Sequence, residues 1–312
     1  MVFESLILSN KNMRNHVFLG LSSFPTPPPR HALTLLLSLC LSGHTVTHDT
    51  RLFDLDKQNT MSAETLANMD VPEVHWSVPV AGVGVYLFMN WALSGRKPED
   101  TPSWVFPLSV VHNTVMTVFS GYVFFITMQF LLPRAFEPGF IYDPECKVLM
   151  GTPGDNNGSP LGYICFLFFV SKLYEFMDTW ILLLKGKKTI FLQKYHHIGA
   201  ALIMWGLTFS RTEASWIFLG FNSFIHTIMY FYYLLTCFGY RPKWKIILTS
   251  LQLTQFVCGL SLTIPYFMLD CTTGPSLYTL IANNAYVTIL VFLFADFFKS
   301  TYTKPKSKKK PQ

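Results

Sequence analysis

Seven long apolar stretches dominate the pattern of hydrophobic and polar positions along the chain. Crossing ~30 Å of hydrocarbon takes about 20 residues of helix, and each stretch meets or approaches that length. The runs are continuous rather than alternating, so they predict helices and not the strands of a membrane barrel. The predicted spans are 77–93, 103–133, 161–184, 189–209, 214–236, 244–269 and 277–298. The expected fold is an all-α membrane protein with seven transmembrane helices.

The composition supports a membrane class for this 312-residue chain. Hydrophobic residues make up 50%, aromatic residues 16% and charged residues 13% of the sequence. A soluble domain carries about 25% charged residues, so too little polar surface is present to coat a globule. A disordered chain, a collagen-like fibre and a disulfide-dense secreted module are excluded on the same grounds. The net charge of +6 lies in the loops and tail, which does not favour nucleic-acid binding.

Basic residues concentrate in alternate loops. Segments 94–102, 185–188, 237–243 and the C-terminal tail are rich in Lys and Arg, whereas the opposite loops contain only Arg134, Lys147 and Arg211. The positive-inside rule therefore predicts a cytosolic C-terminus and a lumenal N-terminus for the helical domain. Cys146 and Cys271 both fall on the lumenal side. A disulfide between them and a pair of free thiols are both compatible with that placement.

The two ends of the chain differ from the span-bearing part. Residues 1–60 include a Pro-rich run and an apolar run too short to span, and they predict a disordered or non-native extension, with a targeting segment as the alternative. Residues 61–300 form the predicted membrane domain. Residues 301–312 form a cytosolic Lys-rich tail. Lys309 and Lys310, the fourth and third residues from the end, fit a signal for return to the endoplasmic reticulum, or simply a cluster near anionic headgroups.

Ionisable and amide side chains recur at helical spacing inside five of the predicted spans. Such groups are costly in a bilayer and are a functional hypothesis by default. Counted at about 1.5 Å per residue, six of them lie roughly 9–15 Å from the cytosolic border, and so predict one polar site in that half of the membrane: His112, Glu175, Asp178, His196, His226 and Gln252. Ordinary interhelical hydrogen bonds and a purely structural Lys172–Glu175 pair are the alternatives. The residues are His112, Asn113, Lys172, Glu175, Asp178, Gln193, His196, His197, Asn222, His226, Tyr230, Tyr233, Gln252 and Gln255.

Four ordered motifs cover these residues. They are K-x-x-E-x-x-D-T from Lys172, Q-x-x-H-H from Gln193, N-x-x-x-H-x-x-M-Y-x-Y-Y from Asn222 and T-x-x-Q-x-x-Q from Thr249. Together they resemble the motifs of very-long-chain fatty acid elongases, over roughly residues 75–300. Gln193 stands where elongases of saturated chains usually have His. In this respect the chain resembles the polyunsaturated-acyl subgroup of algae and protists.

The resemblance implies an activity and a setting. The reaction is the condensation of an acyl-CoA, here a polyunsaturated C18–C20 chain, with malonyl-CoA to 3-ketoacyl-CoA, CO₂ and CoA. The implied fold places six of the seven helices in an antiparallel barrel around an acyl tunnel in the endoplasmic reticulum membrane. No metal or other cofactor is implied. Implied partners are a ketoacyl-CoA reductase, a dehydratase, an enoyl reductase and a second copy of the chain.

Roles follow from chemistry and resemblance together. A neutral imidazole attacks thioesters directly, so His196 is the predicted nucleophile, giving an acyl-imidazole in a ping-pong reaction. His226 is the second predicted catalytic residue and His197 the third. The predicted supporting residues are Gln193, Lys172, Glu175, Asp178, Asn222, Gln252, His112 and Asn113.

Substrate contacts are expected at two places. Tyr230, Tyr233 and Gln255 are predicted to contact substrate inside the membrane. At the cytosolic mouth, basic side chains are the type that binds CoA phosphates, although positive-inside bias alone also explains them. These mouth residues are Lys187, Lys188, Arg241 and Lys243.

Two other classes compete with this interpretation. A membrane di-iron desaturase or hydroxylase also uses His boxes, but only His112, His196, His197 and His226 lie at membrane depth. A seven-helix transporter or receptor would use similar Glu, Asp and His residues. The helix interruptions and inverted repeats expected of transporters are not evident in the sequence.

Overall fold

The computed structural model describes residues 63–152, 155 and 157–303. The predicted N-terminal extension and residues 304–312 of the tail lie outside the described residues. Within the described part, nine α-helices account for most of the regular structure. They are α1 (Ala63–Ala67), α2 (Ser77–Ala92), α3 (Val105–Leu131), α4 (Leu161–Tyr174), α5 (Phe176–Leu184), α6 (Phe191–Phe209), α7 (Ser223–Cys237), α8 (Lys245–Thr263) and α9 (Gly274–Phe298).

Four helical stretches are long and apolar enough to cross a membrane. They are Val105–Arg134, Glu213–Cys237, Lys245–Met268 and Gly274–Tyr302, each formed by an α-helix with a shorter 3₁₀ or π turn attached. The chain is thus an all-helical membrane protein over the described residues. Helix α2 is apolar but shorter, at 16 residues. The remaining predicted spans correspond to α4 with α5, and to α6.

The predicted span 161–184 is interrupted at Glu175. Helix α4 ends at Tyr174 and α5 begins at Phe176. The turn tightens because the Asp178 N–H donates to the Glu175 carbonyl three residues earlier, at 3.0 Å. One continuous helix was therefore the wrong expectation, and the interruption lies at the carboxylate that faces the site described below.

A π turn precedes α7. Residues Phe218–Asn222 form this wide turn, and regular α-helix resumes at Ser223. Single π turns inside helices are frequent at functional sites. The turn sets the position of Asn222 at the start of the polar face that continues along α7.

Long-range contacts define the two ends of the helical bundle. At the first, here called the disulfide end, Cys146 and Cys271 are bonded, with Cα atoms 5.8 Å apart. Also at this end, the Glu213 carboxylate accepts hydrogen bonds from the N–H groups of Leu149 and Met150, each at 2.8 Å. The segment between α3 and α4 is thereby tied to the α6–α7 and α8–α9 connections.

At the other end, here called the basic end, the α2–α3 and α5–α6 connections touch. Gly186 has a φ of +66°, and a Cβ there would lie 2.3 Å from the Lys97 carbonyl carbon. Only glycine permits both the backbone conformation and this approach. The ring of Phe238, in the α7–α8 connection, meets Phe106 of α3 with centroids 6.3 Å apart.

Candidate active site

A cavity of about 500 Å³ lies between α5, α6, α7, α8 and α9. It is called the catalytic cavity here. Its walls combine ionisable, amide and aromatic side chains, which is the composition predicted for the polar site. The lining residues are Glu175, Asp178, Gln193, His196, His197, Asn222, His226, Met229, Tyr230, Tyr233, Gln252, Gln255, Phe256 and Phe294.

Lys172 and Glu175 form a buried ion pair at the edge of this cavity. The Lys172 ammonium lies 2.7 Å from Glu175 Oε1 and donates a second hydrogen bond to Asn222 Oδ1 at 2.9 Å. Neither charged side chain is more than 3% exposed. Buried charges of this kind persist only when paired and hydrogen-bonded. The pair therefore links the α4–α5 junction to the π turn before α7.

Asp178 connects α5 to α3 and α7. Its Oδ1 lies 2.8 Å from Nε2 of His112, and its Oδ2 accepts a hydrogen bond from the Tyr230 hydroxyl at 2.7 Å. His112 is buried and contacts the cavity through this carboxylate rather than directly. The Tyr230 hydroxyl is thus held by Asp178, and the contact of Tyr230 with substrate stays a prediction.

Three imidazoles meet beside Glu175. The rings of His196 and His226 have centroids 6.4 Å apart, and those of His196 and His197 are 5.5 Å apart. Nδ1 of His226 lies 3.4 Å from Glu175 Oε1, an ion-pair distance whose angles are not those of a hydrogen bond. The structure therefore brings the three predicted catalytic histidines to one cavity from α6 and α7.

Tyr286 of α9 holds His196. Its hydroxyl donates to the His196 backbone carbonyl at 2.9 Å and lies 3.2 Å from Nδ1 of the same ring. A tyrosine hydroxyl has one proton, so with that proton on the carbonyl the oxygen accepts from Nδ1–H. Nε2 of His196 then carries a free lone pair.

Gly199 makes the approach of Tyr286 possible. A Cβ at this position would lie 2.0 Å from the Tyr286 ring. Gly199 stands three residues after His196 on α6, on the same helix face. The aromatic ring therefore fills the space that a side chain at position 199 would occupy.

A hydrogen bond also fixes the side chain of Gln193, one turn before His196 on α6. Its Nε2 donates to Thr179 Oγ1 at 3.1 Å, and that hydroxyl also pairs with the Tyr86 hydroxyl at 3.0 Å. Tyr86 is completely buried on α2, and its ring centroid is 6.0 Å from that of His197. Helix α2 thus supports the His197 side of the cavity.

Basic side chains occupy the connections at the basic end. Lys185, Lys187 and Lys188 lie between α5 and α6, and Arg241 and Lys243 lie between α7 and α8. Lys187 is half-buried; this burial, reinforced by the nearby charges of Lys185 and Arg241, lowers its pKa to about 8. A neutral fraction of Lys187 is therefore present at slightly alkaline pH.

Glu175, His196 and His226 are also the kinds of residue that bind metals. One ligand atom from each lies within 4.8 Å of the others. The Lys172 ammonium already occupies the cation position beside Glu175 Oε1, at 2.7 Å. Two cations at one carboxylate oxygen repel each other, so this donor set fits a metal ion poorly.

Of the predicted supporting residues Asn113 and Gln252, only Gln252 lines the catalytic cavity. The Asn113 amide donates to the Ser109 carbonyl at 2.7 Å, and Asn113 does not line the catalytic cavity. The Gln252 amide donates to the Met229 sulfur at 3.4 Å, within the cavity wall. Sequence reasoning missed Tyr286 and Asn283. Both are polar side chains, three residues apart, inside the last predicted span. Polar residues at helical spacing inside an apolar span are the signal that predicted the site residues on the other helices.

Comparisons with known proteins agree with the motifs. The family model described as ELO, GNS1/SUR4 family, matches residues 71–310. The chain is 32% identical over 234 residues to very long chain fatty acid elongase 2 of Mus musculus, covering 73% of this chain and 76% of the relative. It is 30% identical over 239 residues to very long chain fatty acid elongase 5 of Xenopus laevis, with the same shares covered. Putative fatty acid elongase 1 of Schizosaccharomyces pombe is 30% identical over 254 residues, covering 76% and 73%.

The cavity, the four motifs and the family match define a membrane-embedded acyltransferase of fatty acid elongation. The chain belongs to the ELO family. The predicted family and enzyme class are confirmed, and the transporter and di-iron alternatives lose their support.

Proposed function

We propose that the protein condenses an acyl-CoA with malonyl-CoA through an acyl-imidazole on Nε2 of His196. The observation that carries the proposal is the Tyr286 contact, because it places the proton on Nδ1 and leaves Nε2 as the nucleophilic atom. His226 and Glu175 lie beside this atom's ring in the same cavity.

The first half-reaction transfers the acyl group. Nε2 attacks the thioester carbonyl, the C–S bond breaks, and CoA leaves as a thiolate that takes a proton from solvent. The acyl-imidazolium charge is offset by the buried carboxylates of Glu175 and Asp178, which line the cavity. The Gln193 and Asn222 amides stand at the same wall and orient the reacting groups.

The second half-reaction forms the new carbon–carbon bond. Malonyl-CoA loses CO₂, and the resulting enolate carbon attacks the acyl carbonyl. The acyl–Nε2 bond breaks, which releases 3-ketoacyl-CoA and neutral His196. His226 faces His196 across the cavity and is the residue placed to stabilise the enolate. No resident metal or redox cofactor enters this scheme, and metal analysis of purified protein tests that part.

The acyl chain is proposed to run from the catalytic cavity toward the disulfide end. A middle cavity of about 380 Å³ shares His196, Asn222 and Phe256 with the catalytic cavity. A deep cavity of about 330 Å³ in turn shares Phe218, Asn283 and Val287 with the middle one. The walls that these spaces share support a continuous tunnel enclosed by the helices.

We propose seven membrane crossings, with α4 and α5 together forming one of them, and six helices around the tunnel. The basic connections then lie in the cytosol with the C-terminus, beside soluble CoA, and the disulfide end lies in the endoplasmic reticulum lumen. Such an enzyme needs a ketoacyl-CoA reductase, a dehydratase and an enoyl reductase to complete each cycle. We also propose that the protein forms a homo-oligomer.

The proposed acyl substrates are polyunsaturated C18–C20 chains. The support is Gln193, which stands where elongases of saturated chains usually have His. Its amide donates a hydrogen bond to Thr179, whereas a histidine at this position would present an imidazole ring. Expression in yeast fed a panel of saturated and unsaturated acids, followed by lipid profiling, tests this preference.

Purified protein with labelled malonyl-CoA tests the chemistry. We expect His196→Ala to lose both condensation and the acyl adduct trapped without malonyl-CoA. His226→Ala is expected to lose condensation while still forming the adduct. His75→Ala, at an exposed position before α2, is the matched control and keeps both steps. An acyl adduct retained by His196→Ala would reject the nucleophile assignment.

A further inference from the structure

Asn283, in the middle of α9, presents a buried amide whose polar atoms lack partners. The side chain is 1% exposed, and within the described residues neither Nδ2 nor Oδ1 makes a hydrogen bond. Buried side-chain amides in native proteins are nearly always satisfied, and each exception calls for an explanation. The hydrogen-bond partner of this amide is therefore expected in the molecule that occupies the adjacent cavity.

The neighbouring amide, Asn284, differs from Asn283 because both of its polar atoms are hydrogen-bonded. Asn284 donates from Nδ2 to the Leu280 carbonyl at 2.9 Å, and its Oδ1 accepts from the Thr263 hydroxyl at 2.7 Å. The helix therefore presents one satisfied amide toward α8 and one unsatisfied amide to a cavity.

Asn283 lines both the middle and the deep cavity. Gln255 also lines the deep cavity; it is 8% exposed, and its Oε1 is likewise without a partner in the described part of the chain. Most of the other side chains around this cavity are apolar, including Ile217, Phe221 and Leu260. One amide donor and two acceptor oxygens without partners thus line a mostly apolar cavity, whose other amide, Asn222, accepts a hydrogen bond from Lys172.

The distance from the reacting atom follows from helix geometry. Asn283 precedes Tyr286 by three residues on the same face of α9, and Tyr286 contacts His196. At the α-helical rise, Asn283 lies about 4.5 Å closer to the disulfide end than Tyr286. An acyl chain attached to Nε2 of His196 passes Asn283 within its first several carbons.

A saturated chain leaves these amide atoms unpaired and displaces any water that had satisfied them, which loses affinity. A cis double bond behaves differently, since its π electrons accept a weak hydrogen bond from the amide N–H. The methylene between two double bonds has polarised C–H groups that face carbonyl oxygens favourably. The three amide atoms therefore match an unsaturated segment better than a saturated one.

We propose that Asn283, with Gln255, forms a selectivity site for cis double bonds near the carboxyl end of the acyl chain. The inference rests on the proposed condensation at His196, because the chain reaches Asn283 only from that atom. It assigns the preference among acyl chains to α9 and α8, separately from the motif that begins at Gln193.

The test compares three acyl-CoAs of equal length with labelled malonyl-CoA. Stearoyl-CoA is saturated, linoleoyl-CoA has its double bonds far from the thioester, and γ-linolenoyl-CoA adds one near it. Wild type is expected to prefer γ-linolenoyl-CoA. In Asn283→Leu, which keeps the branched shape of the side chain and removes the polar atoms, the γ-linolenoyl to stearoyl ratio of kcat/KM is expected to fall about fivefold, the effect of losing weak hydrogen bonds.

Asn284→Leu is the matched control, since its paired amide faces α8. Its ratio is expected to remain that of wild type even where total activity or stability falls. Gln255→Met is the second variant and is expected to lower the ratio in the same direction, so the inference stays testable where Asn283→Leu does not fold. Unchanged ratios in folded Asn283→Leu and Gln255→Met would overturn this inference alone. A wild type that condenses none of the three substrates would overturn the proposed function instead.

Discussion

The Tyr286 hydroxyl contacts His196 twice, at the backbone carbonyl oxygen (2.9 Å) and at ring Nδ1 (3.2 Å). This pair of contacts fixes both the position and the tautomer of the imidazole. In the proposed mechanism, Tyr286 is therefore a positioning residue that acts on the reaction through His196. Its ring is in turn stacked on Tyr195, with centroids 5.5 Å apart.

Tyr286→Phe removes the hydroxyl and keeps the ring. Without the acceptor for Nδ1–H, the imidazole samples both tautomers and orientations. We expect kcat to fall on the order of a hundredfold, as for loss of general acid–base positioning. Formation of the acyl adduct is expected to slow in parallel, with the KM for malonyl-CoA little changed. Rapid-quench measurement of the adduct checks this, with Tyr195→Phe as the control. An adduct that forms at the wild-type rate in Tyr286→Phe contradicts the assigned role.

Gly199→Ala introduces a methyl group into the Tyr286 ring, 2.0 Å from its nearest carbon. The ring must move, which costs about 1–3 kcal/mol of stability in an overpacked site. Because the hydroxyl then leaves His196, condensation activity is expected to fall as in Tyr286→Phe.

Gly84→Ala provides the comparison, since a Cβ at position 84 of α2 meets nothing within 4 Å. This variant is expected to match or exceed wild-type stability, because alanine favours helix. Thermal unfolding in detergent and turnover of both variants are the measurements. Equal behaviour of the two alanine variants would argue against the packing explanation.

Lys172→Met leaves the Glu175 carboxylate buried without its cation. Breaking a buried ion pair on one side costs about 3–5 kcal/mol. We therefore expect a large drop in the unfolding temperature of Lys172→Met. The double variant Lys172→Met with Glu175→Gln removes both charges and is expected to recover part of that stability while remaining inactive. A single variant as stable as wild type would show that the pair contributes nothing to folding.

We expect Lys187 to make the proposed CoA binding dependent on pH. Its pKa is lowered to about 8, so the ammonium is present below that pH and is lost as the pH rises through it. The kcat/KM for acyl-CoA reports the free enzyme, and a charge-assisted bond to phosphate corresponds to roughly tenfold in affinity. We expect kcat/KM to fall by that order from about pH 7 to pH 9.

Lys187→Arg keeps the charge across this range, because a guanidinium does not titrate there. It is expected to flatten the alkaline limb, and Lys187→Met to be uniformly weak. Profiles of kcat/KM against pH for the three proteins settle the question. An unchanged alkaline limb in Lys187→Arg would assign the pH dependence to another group.

The residues that line the catalytic cavity could be predicted from the sequence because their pattern is local. His196 and His197 stand at helical spacing from Gln193, and His226 stands at helical spacing from Asn222. The structure brings these residues to one cavity. The helices could also be predicted, because an apolar run that crosses the bilayer must satisfy its backbone hydrogen bonds internally, and a helix does so. The four motifs added the family, which the comparison with known proteins confirms.

The sequence by itself determined which segments are helical, which faces are polar and to which family the chain belongs, since these follow from periodicity and residue order. Only the tertiary structure decided that Tyr286, 90 residues after His196, would hold its ring, and that Asn283 rather than Asn284 would line the deep cavity. It also decided that the helix breaks at Glu175. The physical reason is that the rotation of each helix about its axis is set by packing against distant neighbours, such as the Tyr286 ring over Gly199, and not by its own pattern.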